Sequence, residues 1–349
     1  MTVDPDAGRR VHPGGSGDPD TGPIPILGPR PAPPPGRSPA EARAAEPPAP
    51  GPEPRAAVTE APTPTTEEIG PTLVPGARQP TGRAGRNMVA AIGVGAGLGA
   101  VILASLLIYR PAFLLVVTAA VLVAVVELVR ALQAGGARPP VVPVLVGTVA
   151  MIALAWTRGG SGLVVGFLLT VLAVLLWRLG TGPAGYLRDA SAGVLVTLYV
   201  PLLAGFAVLL LVPDDGAARV LAFIATVVGN DVGGFAAGVL FGKHPMAPSI
   251  SPKKSWEGMA GSVLACVLIA TPIVVLALEG PWWGGVLFGA ALAVTATIGD
   301  LGESLIKRDL GIKDMGNLLP GHGGIMDRLD SLLPSAAVAY LLLSVLVPG

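Results

Sequence analysis

The sequence is poor in charge, cysteine and aromatic residues, and each shortage closes off a class of protein. Charged residues make up 13% of the chain and hydrophobic residues 52%, whereas an ordinary soluble domain carries roughly 25% charged residues. That gap points to a bilayer protein. The single cysteine, Cys266, excludes an intrachain disulfide framework and a thiolate metal cluster. It lies in an apolar run and reads as a small buried side chain. With 23 basic and 23 acidic residues the formal net charge is zero, so no global field recruits nucleic acid and any electrostatics that matter are local. The N-terminus lacks an apolar stretch behind basic residues, so no cleavable secretory signal is expected and the first hydrophobic run is read as an anchor.

What is present divides into two halves. Residues 1–87 hold 21 of the 36 prolines and almost no aliphatic periodicity. Such a segment buries too little apolar surface to offset its chain entropy, so it reads as a disordered cytoplasmic tail with extended stretches such as Pro33-Pro34-Pro35. From residue 88 to 349, apolar runs long enough to cross a hydrocarbon core follow one another. They fall at 88–108, 112–132, 141–157, 161–178, 191–212, 217–242, 258–278, 282–299 and 332–348. The expected fold is all-α: a polytopic integral membrane helical bundle of about nine transmembrane helices.

Basic residues are distributed one-sidedly among the connections. Arg78, Arg83 and Arg86 precede the first run; alternate loops then carry Arg130 and Arg138, Arg178 and Arg188, Lys243, Lys253 and Lys254, and finally Lys307, Arg308, Lys313 and Arg328. The opposite loops have Arg110, Arg158 and Arg219. By the positive-inside rule the N-terminus and both large polar loops face the cytosol, and nine crossings put the C-terminus outside.

Beyond residue 87 there are 27 Asp, Glu, Lys and Arg residues, and ten of them fall between Asp300 and Asp330. If the eighth helix continues past Asp300, then Asp300, Glu303, Ser304 and Lys307 share one face. After Pro320-Gly321-His322-Gly323-Gly324 a new helix is expected, with Asp327 and Asp330 in its first turn. Magnesium takes an octahedron of oxygens from one or two carboxylates, waters and substrate phosphates, so Asp300 opposite Asp327 and Asp330 suits it. The glycines, Gly323 and Gly324 among them, let backbone N–H groups cradle phosphate oxygens. Lys307, Arg308, Lys313 and Arg328 supply further phosphate contacts. A loop whose basic residues only set topology explains the lysines and arginines, but not the paired acids.

A second cluster is Asn230-Asp231, within the sixth run. An ionisable group at that depth costs about 2.5–3.5 kcal/mol on the lenient insertion scale, so Asp231 is expected to face a polar cavity. Next comes a loop of glycine, proline, serine and lysine, Gly242 to Gly258, suited to polyphosphate, with Ser251, Lys253 and Lys254 as candidate contacts. Glu127, in the second run, reads as a snorkelling or pairing residue.

Together these motifs resemble the phosphatidate cytidylyltransferase (CDP-diacylglycerol synthase) family. The resemblance rests on Ser304-x-x-Lys307-Arg308, Lys313-Asp314-x-Gly316, Pro320-Gly-His322-Gly-Gly and Asp327-Arg328-x-Asp330-Ser331, about fourteen specified positions in fixed register. A second region, Asp231, Phe241 to Lys243 and Ser251 to Gly258, matches as well. Ser255 stands where the family usually has threonine and Val239 where a basic residue is common. The resemblance implies a funnel open to the cytosol, dependence on Mg2+ with room for a second metal ion, and CTP and phosphatidic acid as substrates. It also implies placement in the cell inner membrane and allows a homodimer. It assigns Asp300, Asp327 and Asp330 to metal, Ser304, Lys307, Arg308, Lys313 and Arg328 to phosphate, and Asp231, Ser251, Lys253 and Lys254 to substrate. His322 is then either a general acid for pyrophosphate or a residue that shapes the glycine loop. The alternatives are another CTP-using membrane transferase, such as a polyprenol or phytol kinase, and a transporter, in which an intramembrane Asp231 would be natural.

Overall fold

The computed structural model describes residues 84–318 and 323–347. Residues 1–83 of the proline-rich segment, and Pro320 to His322 of the glycine loop, lie outside the described residues. The elements run α1 (Ala84–Ile108), α2 (Arg110–Ala134), α3 (Val141–Leu179), α4 (Tyr186–Thr197), a π-helical turn (Leu198–Leu202), α5 (Leu203–Leu211) and α6 (Gly216–Phe241). A hairpin of β1 (Pro245–Ala247) and β2 (Ser251–Ser255) follows, then α7 (Trp256–Leu276), α8 (Trp282–Asp309), α9 (Met326–Leu329) and α10 (Leu332–Leu346).

Seven helical segments are long and apolar enough to cross a membrane, and Gly95–Ile108 is a shorter apolar helix. One of the seven, α3, has 39 residues, about twice what a hydrocarbon core needs. It is broken at Gly159, whose φ of 65° and ψ of −149° belong to a region open essentially to glycine. Its two arms fold back on each other: Gly147 abuts Thr170 and Gly166 abuts Met151. The third and fourth apolar runs are therefore the arms of one helical hairpin. Counting them separately, and adding α1, gives the nine passes expected among the described residues.

The fifth run starts earlier than its apolar core suggests, at Tyr186. Pro201 lacks the N–H of a regular helix, and the chain passes it as a π-helical turn. α8 does continue past Asp300, to Asp309. α9 is a single turn opened by Met326, so Asp327 is its second residue and Asp330 lies in the junction to α10. Large apolar side chains such as Leu168, Leu169, Leu172 and Leu268 stand exposed, as expected of a surface that meets lipid.

Two apolar cores hold the bundle together. One joins α2, α3, α4 and α5 through Leu128, Met151, Val196 and Val208. The other joins α6, α8 and α10 through Phe223, Phe288, Leu292 and Leu343. Inside a membrane, helices gain most from close van der Waals approach, and small residues permit it. The α6–α7 seam works this way. A Cβ on Gly233 would strike Ala265 and the Gly261 carbonyl, and one on Gly261 would strike Ala237.

Polar ties close both ends. At one end Arg110 donates to the carbonyls of Pro213 and Asp214. At the same end buried Arg219 pairs with Asp215 at 2.7 Å and donates to Val347 O at 2.7 Å. At the other end Asp189, its side chain 3% exposed, takes Arg178 at 2.8 Å and Arg188 at 3.0 Å. It also accepts the Arg138 amide at 2.8 Å. Removing one partner of a buried pair strands the other charge, at a cost of about 3 kcal/mol or more. Asp189→Ala is expected to lower the thermal unfolding midpoint of the detergent-solubilised protein by several degrees.

Candidate active site

The site is built where α6, the hairpin, α7 and α8 meet. Gly242 ends α6, and Pro245, Pro248 and Pro252 keep the following chain out of helix. The hairpin is anchored through the start of α7. Ser255 caps that helix by accepting the Gly258 amide at 3.1 Å. Glu257 accepts the Lys243 and His244 amides at 3.2 Å each, while His244 Nδ1 lies 2.5 Å from its other oxygen. The antiparallel register pairs Pro245 with Ser255 and Ala247 with Ser251, and Lys253 and Lys254 of β2 line a cavity of about 220 Å3. Asn230, Asp231, Thr297 and Asp300 line it as well.

The two motif regions meet here. Lys254 Nζ lies 2.5 Å from Asp300 Oδ2, and Arg308 Nε donates to the carbonyl of Ile250 in the hairpin. Ser304, one turn on from Asp300, donates to its other oxygen at 3.4 Å. Of the remaining residues expected in the site, Ser251 belongs to β2, while Lys313 and Arg328 are exposed on the connection after α8 and on α9.

A second knot lies behind this wall. Lys307 Nζ bridges Glu303 at 2.5 Å and Asp327 at 3.0 Å. Asp327 also accepts the Met315 amide at 3.0 Å and the Gly324 amide at 2.8 Å, so one carboxylate fastens both sides of the glycine loop. Gly323 has φ 78°, and a Cβ on it would press on Asp327 Oδ2, so backbone and space both call for glycine there. Asp330 Oδ1 accepts the amide and hydroxyl of Ser331 at 2.6 and 3.1 Å. Gly299 brings α8 up to that junction: a Cβ there would run into the Asp330 carbonyl and Pro334. Asp300, the next residue, is thereby held on the turn that faces Asp330.

Among the described residues, no three carboxylate, imidazole or thiolate side chains converge as a ready metal cage. The donor set nonetheless suits a cation. Asp300 and Asp327 each hold a lysine ammonium as counter-charge, and carboxylate oxygens are the ligand type that a hard divalent ion takes.

Three polar residues that the sequence named without assigning them a site role gain a place here. Glu303 is fully buried, and its Oε1 has no hydrogen-bond partner among the described residues; the i, i+4 spacing to Lys307 was the signal for it. Asn230 is 5% exposed and its Oδ1 likewise lacks a partner among the described residues, while its Nδ2 donates to Asp231. Glu127 reaches the glycine loop from α2, and its Oε2 accepts the Met326 amide at 2.8 Å. No short-range pattern announces that contact.

A helical membrane bundle with a lysine- and carboxylate-lined cavity at one end has the outline of a transferase for phosphorylated substrates. Residues 89–346 match the model of the cytidylyltransferase family, and the chain belongs to that family. It is 46% identical over 280 residues to the phosphatidate cytidylyltransferase of Mycobacterium bovis, covering 76% of this chain and 91% of that protein. It is 47% identical over 283 residues to the phosphatidate cytidylyltransferase of Mycobacterium leprae, covering 76% and 90%. Against the phosphatidate cytidylyltransferase of Brucella suis the identity is 36% over 188 residues, or 52% of this chain and 66% of that protein.

Proposed function

We propose that this chain is a phosphatidate cytidylyltransferase, converting CTP and phosphatidic acid to CDP-diacylglycerol and pyrophosphate in phospholipid biosynthesis. The observation that carries the reading is the Lys254–Asp300 contact at 2.5 Å. It joins the lysine hairpin to the acidic helix, two motifs remote in sequence, at the edge of one polar cavity.

An oxygen of the lipid phosphate attacks the α-phosphorus of CTP and forms the new P–O bond. The bond from that phosphorus to the α,β-bridging oxygen breaks, and its electron pair leaves with pyrophosphate. No side-chain nucleophile is needed, so catalysis rests on positioning and on neutralising phosphate charge. Lys253, Lys254, Lys307, Arg308, Lys313 and Arg328 provide the positive charge. The buried, unpartnered Oδ1 of Asn230 is the acceptor that the exocyclic amine of cytosine requires. Its orientation is held by the bond from Nδ2 to Asp231. Asp300, Asp327 and Asp330 would hold Mg2+, which on binding supplies charge neutralisation at the polyphosphate. The same reading places the protein in the inner membrane, with the N-terminus and the site on the cytoplasmic side, and accommodates a homodimer.

The test is a detergent-micelle assay with phosphatidic acid, Mg2+ and CTP labelled at either the α- or the γ-phosphate. α-Label is expected in the lipid product and γ-label in pyrophosphate, with turnover abolished by EDTA and restored by Mg2+. γ-Label in the lipid would instead identify a terminal-phosphate transfer and overturn the reading. Uptake into liposomes without CTP consumption would indicate a transporter.

A further inference from the structure

The glycine loop is braced from a distant part of the chain, and we infer that Glu127 of α2 is the positioning residue that holds it in its working shape. Glu127 is buried at 6% exposure. Its Oε2 accepts the amide of Met326, which opens α9, from 199 residues away. The carboxylate fills a slot between two glycines of the acidic motif. At both Gly316 and Gly324, the three atoms that an added Cβ would meet first all belong to Glu127. Neither glycine has the positive φ seen at Gly311 and Gly323. Their backbones therefore admit alanine, and what excludes a methyl group is the Glu127 side chain.

This geometry gives Glu127 a consequence for the site. Gly324 donates its amide to Asp327 at 2.8 Å, and the adjacent Met315 donates at 3.0 Å. Asp327 in turn holds Lys307. Glu127 thus holds the described flanks of the loop through Met326, while Asp327 holds them through Met315 and Gly324. It acts through the placement of Gly316, Gly324 and Met326.

The proposal rests on the transferase reading for its activity readout alone, so the experiment adds one that needs no turnover. Wild type, Glu127→Ala, Glu127→Gln, Gly316→Ala and the Glu127→Ala/Gly316→Ala pair are compared in detergent micelles. Three quantities are measured: the thermal midpoint, the rate of tryptic cleavage after Lys313, and CDP-lipid formation. Glu127→Gln keeps an acceptor for Met326 and is expected within about three-fold of wild type on both rates. Glu127→Ala is expected to cleave at least about ten times faster after Lys313 and to lose at least about ten-fold in kcat, because a buried donor is left unmet. Gly316→Ala is expected to fail similarly. The pair is expected to be at least about five-fold more active than the product of the two single losses, since each change relieves the other. If Glu127→Ala leaves both rates at wild-type values, or if the losses simply multiply, the proposal is overturned. Should Glu127→Ala not fold, Gly316→Ala alone and in the pair still decides it. Cleavage that responds as expected in a protein making no CDP-lipid would fault the assigned reaction and leave the brace standing.

Discussion

Asp327→Asn is expected to reduce CDP-lipid formation by at least about 100-fold while the protein still inserts and folds. The carboxylate accepts from three directions: Lys307 at 3.0 Å, Met315 at 3.0 Å and Gly324 at 2.8 Å. Asparagine has nearly the same shape, but one of its two terminal atoms is a donor. That donor must face either a backbone amide or the lysine, and both are donors themselves. Either Lys307 is left with Glu303 alone, or the Met315 and Gly324 amides lose their acceptor. Breaking one side of a buried charged pair costs about 3–5 kcal/mol, and a transition-state charge left without its donor costs about 100- to 1,000-fold in rate. The measurement is turnover per inserted molecule, with insertion followed by membrane-fraction immunoblot and the thermal midpoint. Wild-type turnover in Asp327→Asn would remove Asp327 from the site.

The second large effect is expected at a residue with no chemistry of its own. Gly299→Val is expected to cost at least about 30-fold in activity and to lower the thermal midpoint, because α8 is pressed directly onto the Asp330–Ser331 backbone at this point. Overpacking typically costs about 1–3 kcal/mol. Here the opposing atom is a main-chain carbonyl, which cannot rotate aside as a side chain can. The helix must move, and Asp300 moves with it away from Asp330 and Lys254. Gly302, less than one turn further along, is the control: a Cβ there meets nothing within 4 Å. Gly302→Ala is expected to keep activity within about two-fold and to stabilise the helix, since alanine exceeds glycine by about 1 kcal/mol in a helix interior. Equal effects at the two positions would mean that contact with α9 and α10 is not what places Asp300.

Much of the architecture could be read in advance. Hydrophobic runs of bilayer length are a strong signal, and even the break at Gly159 is visible as Arg158-Gly159-Gly160 between two apolar arms. The face shared by Asp300, Ser304 and Lys307 follows from helical periodicity, and the helix does extend far enough to use it. Less visible was that Asp327 and Asp330 play different parts. One is fully engaged by the loop, whereas the other lies in a junction that only Gly299 allows α8 to approach. Glu303 was legible as a member of the face but not as its buried anchor, because burial depends on what lies opposite. His322 and most of the tail lie outside the described residues.

The sequence by itself determined that this is a polytopic membrane protein, where its helices run, and which two segments hold the family's motifs, because length, periodicity and motif spacing are local properties of the chain. Only the tertiary structure decided which charges meet. Lys254 with Asp300, Lys307 with Asp327 and Glu127 with the glycine loop are contacts across helices. Their existence depends on how closely glycine seams let those helices approach and at what rotation, quantities set jointly by many distant residues.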